Sequence, residues 1–168
     1  CMMIPESITN IIPKNPFDNV YFYHAKDAMK RLDDIDKQRV EFYNDDYSLL
    51  INTLERFYKG FLQSKCDNEG LVLPLGFLNT DHDLCKLVRE IERYTPLFVV
   101  ESIEDEKNKT HFLVSLRKSY TDARYTQNYT YDDFHKLYEF VKKQVKVLEY
   151  HLQPPQKNTI TPQMEIDL

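Results

Sequence analysis

Glycine is scarce in this sequence, three residues in 168. That scarcity argues against a turn-rich β sandwich or barrel, whose tight hairpins draw on residues free to adopt positive φ. Cysteine is nearly as sparse: Cys1, Cys66 and Cys85 are an odd, widely spaced set with no C-x-x-C. The pattern fits reduced thiols rather than a disulfide framework or a sulfur-ligated zinc site, so no metal ligand set is read from it. No apolar run approaches the roughly 18 residues of a membrane span, and nothing resembles a secretory leader, so a cytoplasmic protein with no membrane contact is expected. Cys1 precedes Met2, which suggests either a non-native first residue or a chain cut from a longer one. The phosphate loop G-x-x-x-x-G-K-[ST], the dinucleotide fingerprint G-x-G-x-x-G, the hydrolase elbow G-x-S-x-G and the zinc-protease H-E-x-x-H are all missing. No single motif therefore carries catalysis, and no cofactor is implied.

What is present points to helices. Hydrophobic residues make up 42% and charged residues 29%. The length suits one domain with a real core, and the expected class is all-α. With 22 basic and 27 acidic residues the net charge is −5, so any nucleic-acid contact has to come from a local basic face.

Periodicity places the helices. Residues 1–15 lack it and read as an irregular lead-in, residues 16–153 as the helical domain, and residues 154–168 as an extended or disordered tail. Asn15-Pro16-Phe17-Asp18 is a start signal, and Val20, Tyr21, His24, Ala28, Leu32 and Ile35 predict the buried stripe of a first helix, with His24 packed on it. Residues 36–45 are polar and ambiguous. From Asp46, the stripe Tyr47, Leu50, Leu54, Phe57 and Phe61 predicts a central core helix ended near Gly70, and Gly60 within it suggests a close helix crossing. Residues 71–79 read as a buried connection. Thr80 to Asp83 offer caps for a short helix carrying Leu84, Leu87, Val88 and Ile91, and His82 at its start can cap, pack or act. Residues 101–109 read as a charged loop.

Phe112, Leu116, Tyr120 and Ala123 then predict a helix ending in the turn that holds Arg124, Tyr125 and Tyr129, where the carbonyl pole favours a cation. Thr130 with Asp133 forms a capping-box variant that opens a last helix to about residue 152. Its stripe is Phe134, Leu137, Val141, Val145, Leu148 and Leu152, with Glu139 set to pair with Lys143. Lys136, Lys142, Lys143 and Lys146 on its outside either keep the helix soluble or form a nucleic-acid face. At the corner between these two helices, Arg124 and Tyr125, with Lys118, Tyr129 and His135 near in sequence, could hold a phosphate and stack a base. Alternatively, Arg124 is a structural partner of Asp132 or Asp133.

The stretches L-E-R-F-Y-K-G-F-L (54–62), T-D-H-D-L-C-K-L (80–87) and L-R-K-S-Y-T-D-A-R-Y (116–125), followed by a capped helix, resemble the HEPN domain family, in the form found with bacterial minimal nucleotidyltransferases. The likeness covers roughly residues 17–152. It implies an all-α, antiparallel up-and-down bundle of four to five helices, usually a homodimer, linked to nucleotide binding, to a nucleotidyltransferase partner and to toxin-antitoxin or defence systems, in some members with RNA cleavage. The ribonucleases of the family carry an Arg followed about four to six residues later by a His, which puts a phosphate clamp beside a proton-transfer group. Here His135 lies eleven residues past Arg124. The expected function is therefore a non-catalytic nucleotide- or partner-binding module using Arg124, Tyr125, Lys118 and Tyr129. The alternative is a metal-independent endoribonuclease with a composite site of Arg124 and His135 or His82.

Overall fold

The computed structural model describes residues 19–79, 82–98, 101, 103 and 105–152. Five α-helices run in the order α1 (Val20–Asp36), α2 (Asp45–Glu69), α3 (Leu84–Ile91), α4 (Glu106–Tyr125) and α5 (Tyr131–Leu152), with one 3-10 turn at Phe77–Asn79. There is no strand among the described residues. The protein is all-α, and none of its described helices is long and apolar enough to cross a membrane. The Asn15-Pro16 start, the lead-in 1–15 and the tail 154–168 lie outside the described residues.

Short-range chemistry sets most helix ends. Asn19, in extended backbone, accepts the amide of Phe22 and starts α1. Asp83 accepts the amides of Cys85 and Lys86 at the head of α3, and Asp105 accepts that of Asn108 at the head of α4. Thr130 and Asp133 form the expected reciprocal capping box. Thr130 Oγ1 accepts the Asp133 amide at 3.1 Å, and the Asp133 carboxylate accepts the Thr130 amide at 2.9 Å. Gly70 closes α2 at φ +75°, the left-handed conformation that lets the last carbonyls be bonded.

The central helix of the sequence reading is central in space: α2 packs against each of the other four helices, an arrangement compatible with an up-and-down bundle. Leu50, Leu54, Phe57 and Phe61 of its stripe are fully buried, each such side chain stabilising the fold by about 1.5–3 kcal/mol. Gly60 is where α1 crosses. A Cβ at that position would stand 2.4 Å from the Phe22 ring, and the Gly60 carbonyl accepts from Asn19 Nδ2 at 2.9 Å. The stripe of α3 is buried as expected, and that of α5 is buried from Phe134 to Leu148, with Leu152 half-buried at its end. One polar pair enters the core whole, since Tyr58 donates to Gln144 at 2.8 Å and Gln144 donates onward to the Leu97 carbonyl.

Four expectations are corrected. The buried face of α1 is Phe22, Ala25, Met29, Leu32 and Ile35. His24 is therefore exposed, with its ring edge against Tyr23, because the notch at Gly60 takes the Phe22 ring and rotates the helix. In the 71–79 connection Val72 and Leu75 stand in solvent rather than in the core. The charged stretch before α4 is helical from Glu106 onward, since Asp105 supplies a cap and Lys109 reaches the carboxylates of Glu92 and Glu106. Glu139 pairs with Lys142 at 3.5 Å in place of Lys143.

Candidate functional site

The corner between α4 and α5 is built from both sides of the chain. Asn44, just before α2, donates through Nδ2 to the carbonyls of Ala123 and Gln127 and accepts the Tyr129 amide at 2.7 Å. Ser48 donates to the Tyr120 carbonyl at 2.6 Å. Tyr47 stacks face to face on Tyr129, with centroids 4.0 Å apart and planes 5° apart. Burial, then the neighbouring Tyr129 and Asp133, push the Tyr47 phenol up to about 12, so it stays a neutral platform. These bonds lock a turn that would otherwise leave several helix-end carbonyls unpaired. The sequence reading missed Asn44, whose signal was only a polar residue ahead of the α2 stripe.

Arg124 projects from that locked turn into solvent. Its guanidinium lies 5.9 Å from the ring centres of both Tyr120 and Tyr125. Those phenols, Tyr120 first, raise its pKa above the ordinary guanidinium value, so it is a permanent cation. The proposed structural pairing is not made: Asp132 lies by Lys136 and Asp133 closes the capping box. Beside Arg124 opens a cleft of about 300 Å³ lined by Asp45, Asp46, Ser48, Leu49, Asn52 and Tyr120. The Asp46 carboxylate is already held by Arg31 at 2.7 and 2.9 Å, which offsets its charge in that cleft. Of the other residues read as binding, Tyr125 is exposed. Lys118 is engaged by Asp122 at 2.6 Å, and Tyr129 is part of the turn's scaffold.

Tyr120 is the shared wall of a larger polar face. Arg117 lies over it at 5.1 Å, and the His82 ring stacks beside it at 6.2 Å. His82 Nδ1 meets Glu55 Oε2 at 2.8 Å, and the same oxygen meets Lys59 Nζ at 2.7 Å. Glu55 is 6% exposed and Lys59 11%. A buried carboxylate survives there because two cationic or hydrogen-bonding groups face it. His82 also sits at φ +60°, an uncommon conformation for a residue with a Cβ. The contact with Glu55 uses Nδ1 of the His82 ring, and the side chain is about half exposed.

The fold therefore joins His82, rather than His135, to the Arg124 neighbourhood through Tyr120. His135 belongs to a different cluster, bonded to Asp36 at 2.8 Å and stacked on Tyr131. No sequence pattern could pair Glu55 with His82, since 27 residues separate them.

The fold and the site together define an all-helical protein carrying an exposed arginine–tyrosine corner next to a buried Glu55–Lys59 pair that the exposed His82 covers. No family model, no curated protein and no solved structure matches the chain.

Proposed function

We propose that this protein is a HEPN-type module that binds a nucleotide, or a partner presenting one, at the Arg124 corner. One observation carries the reading: a guanidinium without a carboxylate partner among the described residues, set between two tyrosine rings at the mouth of a cleft. A phosphate takes the guanidinium's paired donors and a base takes a ring face. Arg117, 5.1 Å from the centre of the same Tyr120 ring, offers a second cation for a di- or triphosphate. The homodimer and the nucleotidyltransferase partner belong to the same proposal and rest on the sequence resemblance alone.

The test is equilibrium binding of labelled ATP and of a short single-stranded RNA to the wild type and to Arg124→Ala. Affinity should fall at least tenfold in the variant while the thermal melt is unchanged, because Arg124 is exposed and makes no ion pair among the described residues. Equal affinity in both proteins, or no binding to either, removes the reading.

A second reading is favoured by the Glu55–His82 pair. In it the protein is a metal-independent endoribonuclease in which Arg124 and Arg117 hold the scissile phosphate and His82 moves the proton, oriented by Glu55. RNA cleavage that persists with chelator and is lost in both Arg124→Ala and His82→Gln would establish it over the binding module. Intact RNA under the same conditions would dismiss it.

A further inference from the structure

The last turn of α1 carries Asp33, Asp34 and Asp36 and no basic residue. Acids at that end oppose the helix dipole, whose carbonyl pole already carries negative potential, so this corner attracts a cation. Two neighbouring groups answer part of it. Arg39 reaches Asp34 at 3.4 Å, and Tyr138 donates a short hydrogen bond to Asp33. Burial, followed by the bond to Asp33 and the charges of Asp33, Asp36 and Glu139, raises the Tyr138 pKa far above the ordinary phenol value.

Asp36 is the remaining acid, and α5 places two more ligand-bearing side chains over it. His135 Nδ1 stands 2.8 Å from Asp36 Oδ1, and Glu139 follows one turn later on the same face of α5. One ligand atom from each of Asp36, His135 and Glu139 lies within 4.8 Å of the others. We propose that Asp36, His135 and Glu139 form a binding site for a first-row divalent metal ion, zinc ahead of manganese.

Ligand distances of about 2.0–2.2 Å put adjacent ligand atoms about 2.8–3.6 Å apart. The Asp36–His135 spacing already falls in that range. Glu139, whose ligand atom is within 4.8 Å of both others, has at most about 1 Å to close, within reach of a rotamer change in a half-exposed side chain. Its loose contact with Lys142 at 3.5 Å is the competing interaction, and the same Lys142 Nζ lies 5.6 Å from the centre of the Tyr138 ring.

One imidazole and two carboxylates favour a first-row ion over calcium or magnesium, and the general affinity order puts zinc above manganese. Tyr131 links the two elements that carry the ligands. Tyr131 donates to the Asp36 backbone carbonyl at 2.6 Å, and its ring lies 6.1 Å from that of His135 at 20°, which fixes the imidazole plane. Three protein ligands leave a coordination position open, so the ion would tie the end of α1 to α5 and could also take a ligand from solution. The proposal is independent of the Arg124 reading, which concerns another face.

The test uses protein without a polyhistidine tag, stripped with chelator and dialysed, then titrated calorimetrically with Zn²⁺ and with Mn²⁺. One Zn²⁺ per chain is expected, with a melting temperature that rises on loading and returns on adding chelator. Cobalt substitution should give a visible absorption band. In His135→Gln and Glu139→Gln the affinity should fall at least tenfold, with metal-free melts close to wild type confirming that both fold. Absence of saturable binding, or binding of wild-type strength in the two variants, overturns the proposal.

Discussion

Asn44 accepts the backbone amide of Tyr129 at 2.7 Å across 85 residues of sequence, and its amide group donates to the carbonyls of Ala123 and Gln127 on the same turn. One side chain thus satisfies three backbone groups at the meeting of α2, α4 and α5. Replacing it with alanine leaves those groups to find water or go unpaired. We expect Asn44→Ala to cost about 2–3 kcal/mol in urea unfolding, given a net of about 1 kcal/mol per hydrogen bond. Asn44→Asp, which keeps the acceptor and loses the donor, should fall between. A loss under 0.5 kcal/mol would show that the turn holds itself.

Gly60 presents the opposite problem, since a helix interior ordinarily prefers alanine by about 1 kcal/mol. Here the added methyl would meet three carbons of the Phe22 ring at 2.4–2.9 Å. That ring is buried and packed on Phe57 at 6.1 Å, so it cannot swing away freely. Gly60→Ala should destabilise by about 1–3 kcal/mol, the usual cost of overpacking. Phe22→Leu in the same chain should recover part of that loss, giving a coupling of opposite sign in a double-mutant cycle.

Lys59 neutralises Glu55 in the interior of α2, with the two groups 2.7 Å apart. Removing the cation alone leaves a carboxylate 6% exposed, with His82 still facing it. Lys59→Met should therefore cost about 3 kcal/mol, toward the lower end for a broken buried pair because His82 remains. Adding Glu55→Gln to that variant should restore most of the stability. Additive losses in the double variant would mean that the pair is not coupled.

Glu101 gives the pH-dependent case. Burial raises its pKa above 4.5, opposed by the Lys143 charge and a hydrogen bond from Gln144, and its Oε2 has no partner among the described residues. In the unfolded chain the proton leaves near the ordinary value, and in the folded chain it leaves later. Stability from this group is therefore present at low pH, lost as pH climbs from about 4.5 through the raised folded value, and constant above it. Glu101→Gln should melt about 2–4 °C higher than wild type at pH 7, equivalent to about 1 kcal/mol for a half-buried group. The gap should close near pH 4. A gap independent of pH would assign the effect to packing.

The helices were legible because their signals are local. The Thr130–Asp133 box, the Gly70 stop, the cap at Asp83 and the stripes of α2, α3 and α5 each lie within a few residues of the bonds they make. The sequence also carried the Arg124 corner as a cation beside tyrosines at a helix end, and the structure leaves that cation free of the acids in the next turn.

What the sequence by itself determined is the list of helices and most of their ends, since capping and 3.6-residue periodicity depend on groups one turn apart. Tertiary structure alone decided which face of α1 turns inward, because Val20 to Tyr23 are apolar or aromatic all round and only the notch at Gly60 selects Phe22. It alone brought His82 to Glu55 and His135 to Asp36, contacts spanning 27 and 99 residues. Such pairings depend on how helices cross, and no short-range preference of a histidine specifies the carboxylate that another helix will carry to it.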